Sequence, residues 1–194
     1  MSVKTPSTPP DPALSLLDAA REIFIDEGIK GLSVRRVADR AGCTTMTVYS
    51  RYGSKEGLLG ALFDEGFDRL AQAQAAVNPT LARSQRVLAL CRAYRATALR
   101  YPHHYALMLG GFSGEHTPTP QSSAKAMATL QTLTDAVAAT LPTSAGHVNR
   151  AATVANRLFA FCHGWVSLER LGFFGESVDT APAFDRAVKA LLAG

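Results

Sequence analysis

Residues 33–55 restrict the fold more than any other stretch: Ser-Val-Arg-Arg-Val-Ala-Asp-Arg-Ala-Gly-Cys-Thr-Thr-Met-Thr-Val-Tyr-Ser-Arg-Tyr-Gly-Ser-Lys. They read as two short helices joined by a tight turn. Ser33 can N-cap the first helix, its hydroxyl accepting from an orphan backbone N–H. Val34, Val37, Ala38 and Ala41 fall on one face. Gly42 supplies the left-handed stop that side chains resist. Thr44 can cap the second helix, in which Val48 and Tyr52 lie four residues apart and point inward. Thr45, Met46, Thr47, Tyr49 and Ser50 are left outside. Helix, glycine turn and short second helix make a helix-turn-helix, whose second helix enters the DNA major groove.

Charge supports that reading. Lys30, Arg35, Arg36, Arg40, Arg51 and Lys55 stand against Asp39 alone, an excess larger than the +4 of the whole chain. Basic charge gathered on one small element is the footprint of phosphate binding. Lys55 follows Ser54, the expected cap of the next helix, where cations are disfavoured. A phosphate drawn to the same helix end accounts for a lysine there. The alternative reading of these residues is an ordinary α-hairpin with a solvated basic face.

The run Ala41-Gly42-Cys43-Thr44, then Thr47-Val48-Tyr49, then Tyr52-Gly53-Ser54-Lys55-Glu56 and Leu58 resembles the N-terminal domain of the tetracycline-repressor (TetR) family. That family shows A-G-V-S, T-L-Y, H-F or Y-F, and S-K-E followed by Leu. Cys43 replaces the usual valine, and Arg51 stands where histidine is common. The resemblance spans residues 13–60. Together with the geometry, it implies that Thr45, Met46, Thr47 and Ser50 face the groove floor, and that Arg35 reaches a base. Ser33, Thr44, Tyr49, Arg51 and Lys55 are then the phosphate partners, which fix register without reading sequence.

The rest of the chain continues in helical periods. Of its 194 residues, 47% are hydrophobic and 19% charged, enough to bury a real core. No apolar run reaches the ~18 residues of a membrane span, and the N-terminal stretch, with Lys4 followed by Pro, Ser, Thr and Asp, is not expected to act as a secretory signal. Cys43, Cys91 and Cys162 are odd in number and lie in apolar helical patterns, as reduced core thiols of a cytoplasmic protein do. Residues 1–12, with four prolines, are expected to form a flexible tail. A first helix follows with Leu14, Leu17, Ala20, Ile23 and Phe24 at helical spacing, and Gly28 is expected to end it. Further helices are expected over 55–77, 81–100, 103–109, 121–140, 147–171 and 180–193. No strand-like alternation is present, so the fold class is all-α. The division is a tail to residue 12, a helix-turn-helix domain over 13–57 and a second helical domain over 58–194.

In the helix over 147–171, Val154, Leu158, Phe161, Trp165 and Leu168 form a heptad-like seam. With Phe184, Val188 and Leu191 of the last helix they are expected to form a homodimer interface. Ala151, Ala155, Phe159, Cys162 and Val166 cover an adjacent face, so this helix needs more than one neighbour. The segment Phe159-Ala-Phe-Cys-His-Gly-Trp-Val-Ser-Leu-Glu169 is similar to a signature in one group of TetR C-terminal domains, Trp-x-x-x-His-Gly (WHG). Here Phe159 takes the place of the tryptophan. Gly164 costs about 1 kcal/mol relative to alanine inside a helix, which close approach of another helix would offset.

Phe63, Phe67, Tyr94, Tyr105, Met108, Phe112, Met127, Phe161 and Trp165 are candidates for lining an apolar pocket. Ordinary core packing is the competing reading, and the ligand role is implied mainly by the family. No catalytic residue, cofactor or metal is expected: no Cys-x-x-Cys or His-x-x-x-His spacing occurs. His103 and His104 are expected as a surface pair and His163 as a hydrogen-bonded packed residue. Ser113, Glu115 and His116 lie in a loop without nucleophile-elbow spacing. The expected function is a sequence-specific transcriptional regulator, a repressor released from a palindromic double-stranded operator by a small apolar ligand. The helix starting at Lys55 would carry the signal, and the loop over 110–120 would gate the pocket. A ligand-independent DNA binder is one rival, and a helical enzyme or carrier with an inert helix-turn-helix is another.

Overall fold

The computed structural model describes residues 12–109, 116–143, 146–175 and 179–193. Among them are nine helices and no strand: α1 (Pro12–Gly31), α2 (Val34–Ala41), α3 (Thr45–Tyr52), α4 (Lys55–Ala75), α5 (Arg83–Arg100), α6 (Pro102–Leu109), α7 (Pro120–Ala138), α8 (His147–Arg170) and α9 (Thr180–Ala193). The all-α expectation is met. Residues 1–11 of the expected tail to residue 12, Phe112, Ser113, Glu115 and most of the expected gating loop lie outside the described residues.

Local chemistry sets the first boundaries. Ser33 caps α2 by accepting from Arg36 N–H at 3.3 Å. Gly42 then turns into the left-handed region at φ 68°, with its N–H returned to the end of α2. Thr44 caps α3 by accepting from Thr47 N–H at 3.3 Å, and Ser54 caps α4 by accepting from Gly57 N–H at 3.2 Å. Gly28 does not end α1 outright. It breaks the helical conformation at φ 66° and ψ −159°, and the turn resumes to Gly31. The His103 ring lies over it, 3.0 Å from where a β-carbon would stand.

One apolar core runs from Leu16 on α1 to Val188 on α9. The central support is α4, packed against α1, α3, α5, α6 and α7. Its stripe of Leu58, Leu59, Leu62, Phe63, Phe67 and Leu70 is buried throughout. Farther along the chain, α8 packs on α5, α7 and α9.

The last helix revises the expected dimer seam. Leu158, Phe184 and Val188 are buried inside the protomer, not offered at its surface. Phe184 and Val188 are buried because α9 folds back on α5 and α8 of its own chain, and α8, which carries Leu158, also packs on α5 and α7. Phe184 then packs with Phe161 at 5.6 Å and Trp165 at 5.9 Å between ring centres, and Trp165 with Phe174 at 4.5 Å. Two guanidiniums fasten α9. Arg92 donates to Asp185 at 2.8 Å, and Arg95 donates at 2.7 Å to Glu169, which also accepts from the Thr180 hydroxyl at 2.7 Å. Leu168, Leu171 and Phe173 stay exposed. A β-carbon at Gly164 would meet no atom within 4 Å, so among the described residues no helix makes the close approach expected there.

Candidate nucleic-acid interface and internal cavity

Val48 anchors α3 as its fully buried residue. One helical turn of alternation then leaves Thr45, Met46, Tyr49 and Ser50 in solvent, with Met46 73% and Tyr49 51% exposed. Thr47 is half-buried, its hydroxyl 3.1 Å from that of Thr44, so these two hydroxyls are held together at the start of α3. The Arg35 side chain is 87% exposed and 4.0 Å from Asp39. Arg51 is exposed, and Lys55 is half-buried at the start of α4.

The basic window is less uniformly charged than its sequence suggests. Arg36 turns back to α1, donating at 2.6 Å to Glu27 and at 2.8 Å to the Gly31 carbonyl. Arg40 donates to Glu22 at 2.8 Å. These two arginines brace α2 on α1. The Arg36 hydrogen bond holds the Glu27 carboxyl below its usual range.

Where α1 meets the second group of helices, Glu65 of α4 is the shared partner. Arg21 of α1 donates to it at 2.6 Å and Arg69 at 3.1 Å. His104 Nε2 of α6 stands 3.6 Å from its other oxygen. Burial pushes the Glu65 carboxyl up, but His104, Arg69 and Arg21 outweigh it and bring its pKa to about 2. The expected surface pair of histidines is therefore corrected. His104 is buried against Phe24, ring centres 5.1 Å apart, and His103 is half-buried over Gly28. His163 is hydrogen-bonded as expected, its Nδ1 2.7 Å from the Tyr105 hydroxyl. Met108 of α6 fits over Gly66 of α4, with Sδ 2.5 Å from where a β-carbon would stand.

Between five helices lies a cavity of about 230 Å³. Phe67, Leu70 and Gln74 of α4 line it, with Leu90, Cys91 and Tyr94 of α5 and Leu109 of α6. Ala126, Met127, Thr129, Leu130 and Leu133 of α7 and Phe159 and Cys162 of α8 complete it. No charged side chain is in this lining. The Cys91 thiol and burial push the Cys162 thiol up, and burial pushes the Tyr94 hydroxyl up, so both stay protonated.

Of the pocket residues expected from sequence, Phe67, Tyr94 and Met127 line this cavity. Tyr105 and Met108 instead line a narrow space of about 10 Å³ beyond Leu70 and Tyr94, room for about one water. Phe63 packs on Phe67 at 5.0 Å and His116 at 5.2 Å, and Phe161 and Trp165 belong to the aromatic cluster under α9. Sequence reasoning missed Gln74, Cys91, Thr129, Phe159 and Cys162 as cavity residues. Gln74 carried a signal: an amide on the apolar stripe of Phe67 and Leu70.

Two family models match the chain. Residues 16–62 match "Bacterial regulatory proteins, tetR family", and residues 87–191 match "Tetracyclin repressor-like, C-terminal domain". The HTH-type transcriptional regulator Rv1816 of Mycobacterium tuberculosis is 27% identical, over 92% of this chain and 89% of that protein. The HTH-type transcriptional repressor AcnR of Corynebacterium efficiens is 33% identical over 37% of this chain and 38% of its own. A TetR variant from Acinetobacter baumannii AYE, solved in complex with minocycline, superposes with a TM-score of 0.65 at 19% identity, over 92% of this chain and 93% of that one. The C-terminal model alone covers more than half of the 194 residues, and with the helix-turn-helix described above it establishes that the chain is a transcriptional regulator of the TetR family.

Proposed function

We propose that this regulator is a repressor that binds a palindromic operator as a homodimer and leaves it when a small apolar ligand enters the cavity. The observation that carries the DNA half is the outer face of α3. Met46 and Tyr49 stand in water on a helix anchored by a fully buried Val48. Exposed large side chains beside a basic surface suit the floor and walls of a major groove. On this reading Thr45, Met46, Thr47 and Ser50 meet base edges, with Arg35 reaching a further base. Ser33, Thr44, Tyr49, Arg51 and Lys55 hold phosphates. The working boundary falls near residue 57, so that α4 begins at the DNA and ends beside the cavity. AcnR is named a repressor, which supports the repressor part of this reading, and the Acinetobacter protein holds a small molecule, minocycline.

A single short recognition helix reads few base pairs, so specificity calls for two copies on related half-sites. The surface proposed for the second copy is the outer face of α8 and its end: Ala160, Gly164, Leu168, Leu171 and Phe173. The cytoplasm is the proposed compartment, where three reduced thiols and a DNA partner belong together.

Selection of bound fragments from genomic DNA tests the proposal, followed by titration of the recovered site. A palindromic consensus bound by two chains is the expected outcome. Tyr49→Ala should weaken binding at low salt without changing the melting temperature. Recovery of no preferred sequence, at low salt and micromolar protein, would overturn it.

A further inference from the structure

We infer that the cavity is built for an uncharged, mostly hydrocarbon molecule bearing one hydrogen-bond donor for Gln74 Oε1 and one acceptor for the Tyr94 hydroxyl. A phenol or alcohol of about nine heavy atoms meets that description. The inference rests on the reading of the cavity as the effector site.

Gln74 and Tyr94 are each only 8% exposed, and both line the cavity. The Gln74 amide nitrogen donates to the Thr129 carbonyl at 3.0 Å. A carbonyl oxygen can only accept, so the amide cannot be turned over, and Oε1 is left as the unpaired atom. Among the described residues Gln74 Oε1 has no hydrogen-bond partner, and the Tyr94 hydroxyl has only the Tyr105 hydroxyl beside it. The neighbouring Tyr105 hydroxyl is engaged with His163. A buried amide oxygen without a donor is costly, and leucine or methionine at position 74 would avoid that cost. An amide kept on the apolar stripe that lines the cavity suits recognition of a donor.

The other walls limit the remainder of the molecule. They are carbon and sulfur, with Cys162 and Tyr94 kept protonated by their surroundings. A carboxylate or an ammonium would lose its hydration there and find no counter-charge. Size follows from volume. A cavity of about 150 Å³ takes up benzene, so 230 Å³ admits about half as many atoms again. Met127 lines the cavity and is 61% exposed, placing a flexible thioether at its rim.

Calorimetric titration of the full chain with three probes tests this: para-ethylphenol, ethylbenzene and para-ethylbenzoate at neutral pH. The phenol should bind roughly tenfold or more tightly than ethylbenzene, the worth of one to two net hydrogen bonds, and the benzoate should be the weakest. In Gln74→Leu and in Tyr94→Phe the preference for the phenol should shrink several-fold while ethylbenzene binding persists. Equal wild-type affinity for phenol and ethylbenzene would overturn the inference, as would tighter benzoate binding. A preference unchanged in both variants would do the same. Each of those results leaves the cavity standing as an effector site. Binding of none of the three probes would instead overturn the effector-site reading itself.

Discussion

Arginines five residues or fewer apart do different things in this protein. Arg36 and Arg40 are spent on Glu27 and Glu22 of α1, whereas Arg35 projects into solvent. Arg36→Ala and Arg40→Ala should therefore leave the slope of log affinity against log salt close to wild type. Arg51→Ala and Lys55→Ala should each flatten it by roughly 0.9. Filter-binding titrations between low and moderate salt read this directly, and a full slope change in Arg36→Ala would place that residue among the phosphate contacts. Glycine matters most at position 57, where a β-carbon would lie 1.8 Å from the Tyr52 carbonyl oxygen. That oxygen is backbone and cannot swing away. Gly57→Ala should destabilise the protein by about 3 kcal/mol, seen as a lower urea midpoint, and should also disturb the angle between α3 and α4.

Glu65 makes the junction of α1, α4 and α6 sensitive to acid. Its pKa is held at about 2 against an ordinary 4.5. A depressed carboxylate contributes stability that is fully present above pH 4.5 and is lost as the pH falls toward 2. The contribution is at most about 3 kcal/mol, less the share screened by water. Acid unfolding should steepen in that window, and Glu65→Gln should remove that component while lowering stability at neutral pH. A variant with the wild-type acid profile would show that the junction does not carry it. Helix α8 offers a second test. Gly164→Ala should raise the thermal stability of an isolated protomer, because a methyl group replaces helix-interior glycine in open space. Leu168→Glu or Gly164→Trp should shift sedimentation toward monomer if the outer face of α8 meets a second copy. A dimer unchanged in both variants would locate the interface elsewhere.

In the whole molecule, α4 and α6 join the two ends. The first turn of α4 adjoins α3, and the later turns of α4 supply Phe67, Leu70 and Gln74 to the cavity. Leu109 brings the end of α6 to the same cavity, while His104 and Met108 of that helix bear on Glu65 and Gly66. In the proposed two-copy complex the two α3 helices must keep successive major grooves, about 34–36 Å apart. A ligand that favours a shifted α4 needs only 1–3 kcal/mol of coupling to weaken operator binding about 5–150-fold. Linkage requires operator DNA to weaken ligand binding by the same factor. Titrating a cavity ligand with and without saturating operator should show that loss; identical affinities would mean that α4 transmits nothing.

The order and extent of the helices were legible in the chain because their causes are local. Ser33, Thr44 and Ser54 cap within three residues, and Gly42 turns the chain where it stands. The outer face of α3 was legible for the same reason, since Val48 and Tyr52, four residues apart, fix which side is inward. The cavity was not, because it is a volume left where side chains from five helices fail to meet. Phe67, Tyr94 and Met127 reach it, but so do Gln74, Cys91 and Cys162, whose approach depends on how α4, α5 and α8 are set against one another. The same distance in sequence hid the pairing of Arg40 with Glu22 and of His104 with Glu65. It also hid the return of α9 over Phe161 and Trp165, which only the closed tertiary fold decides.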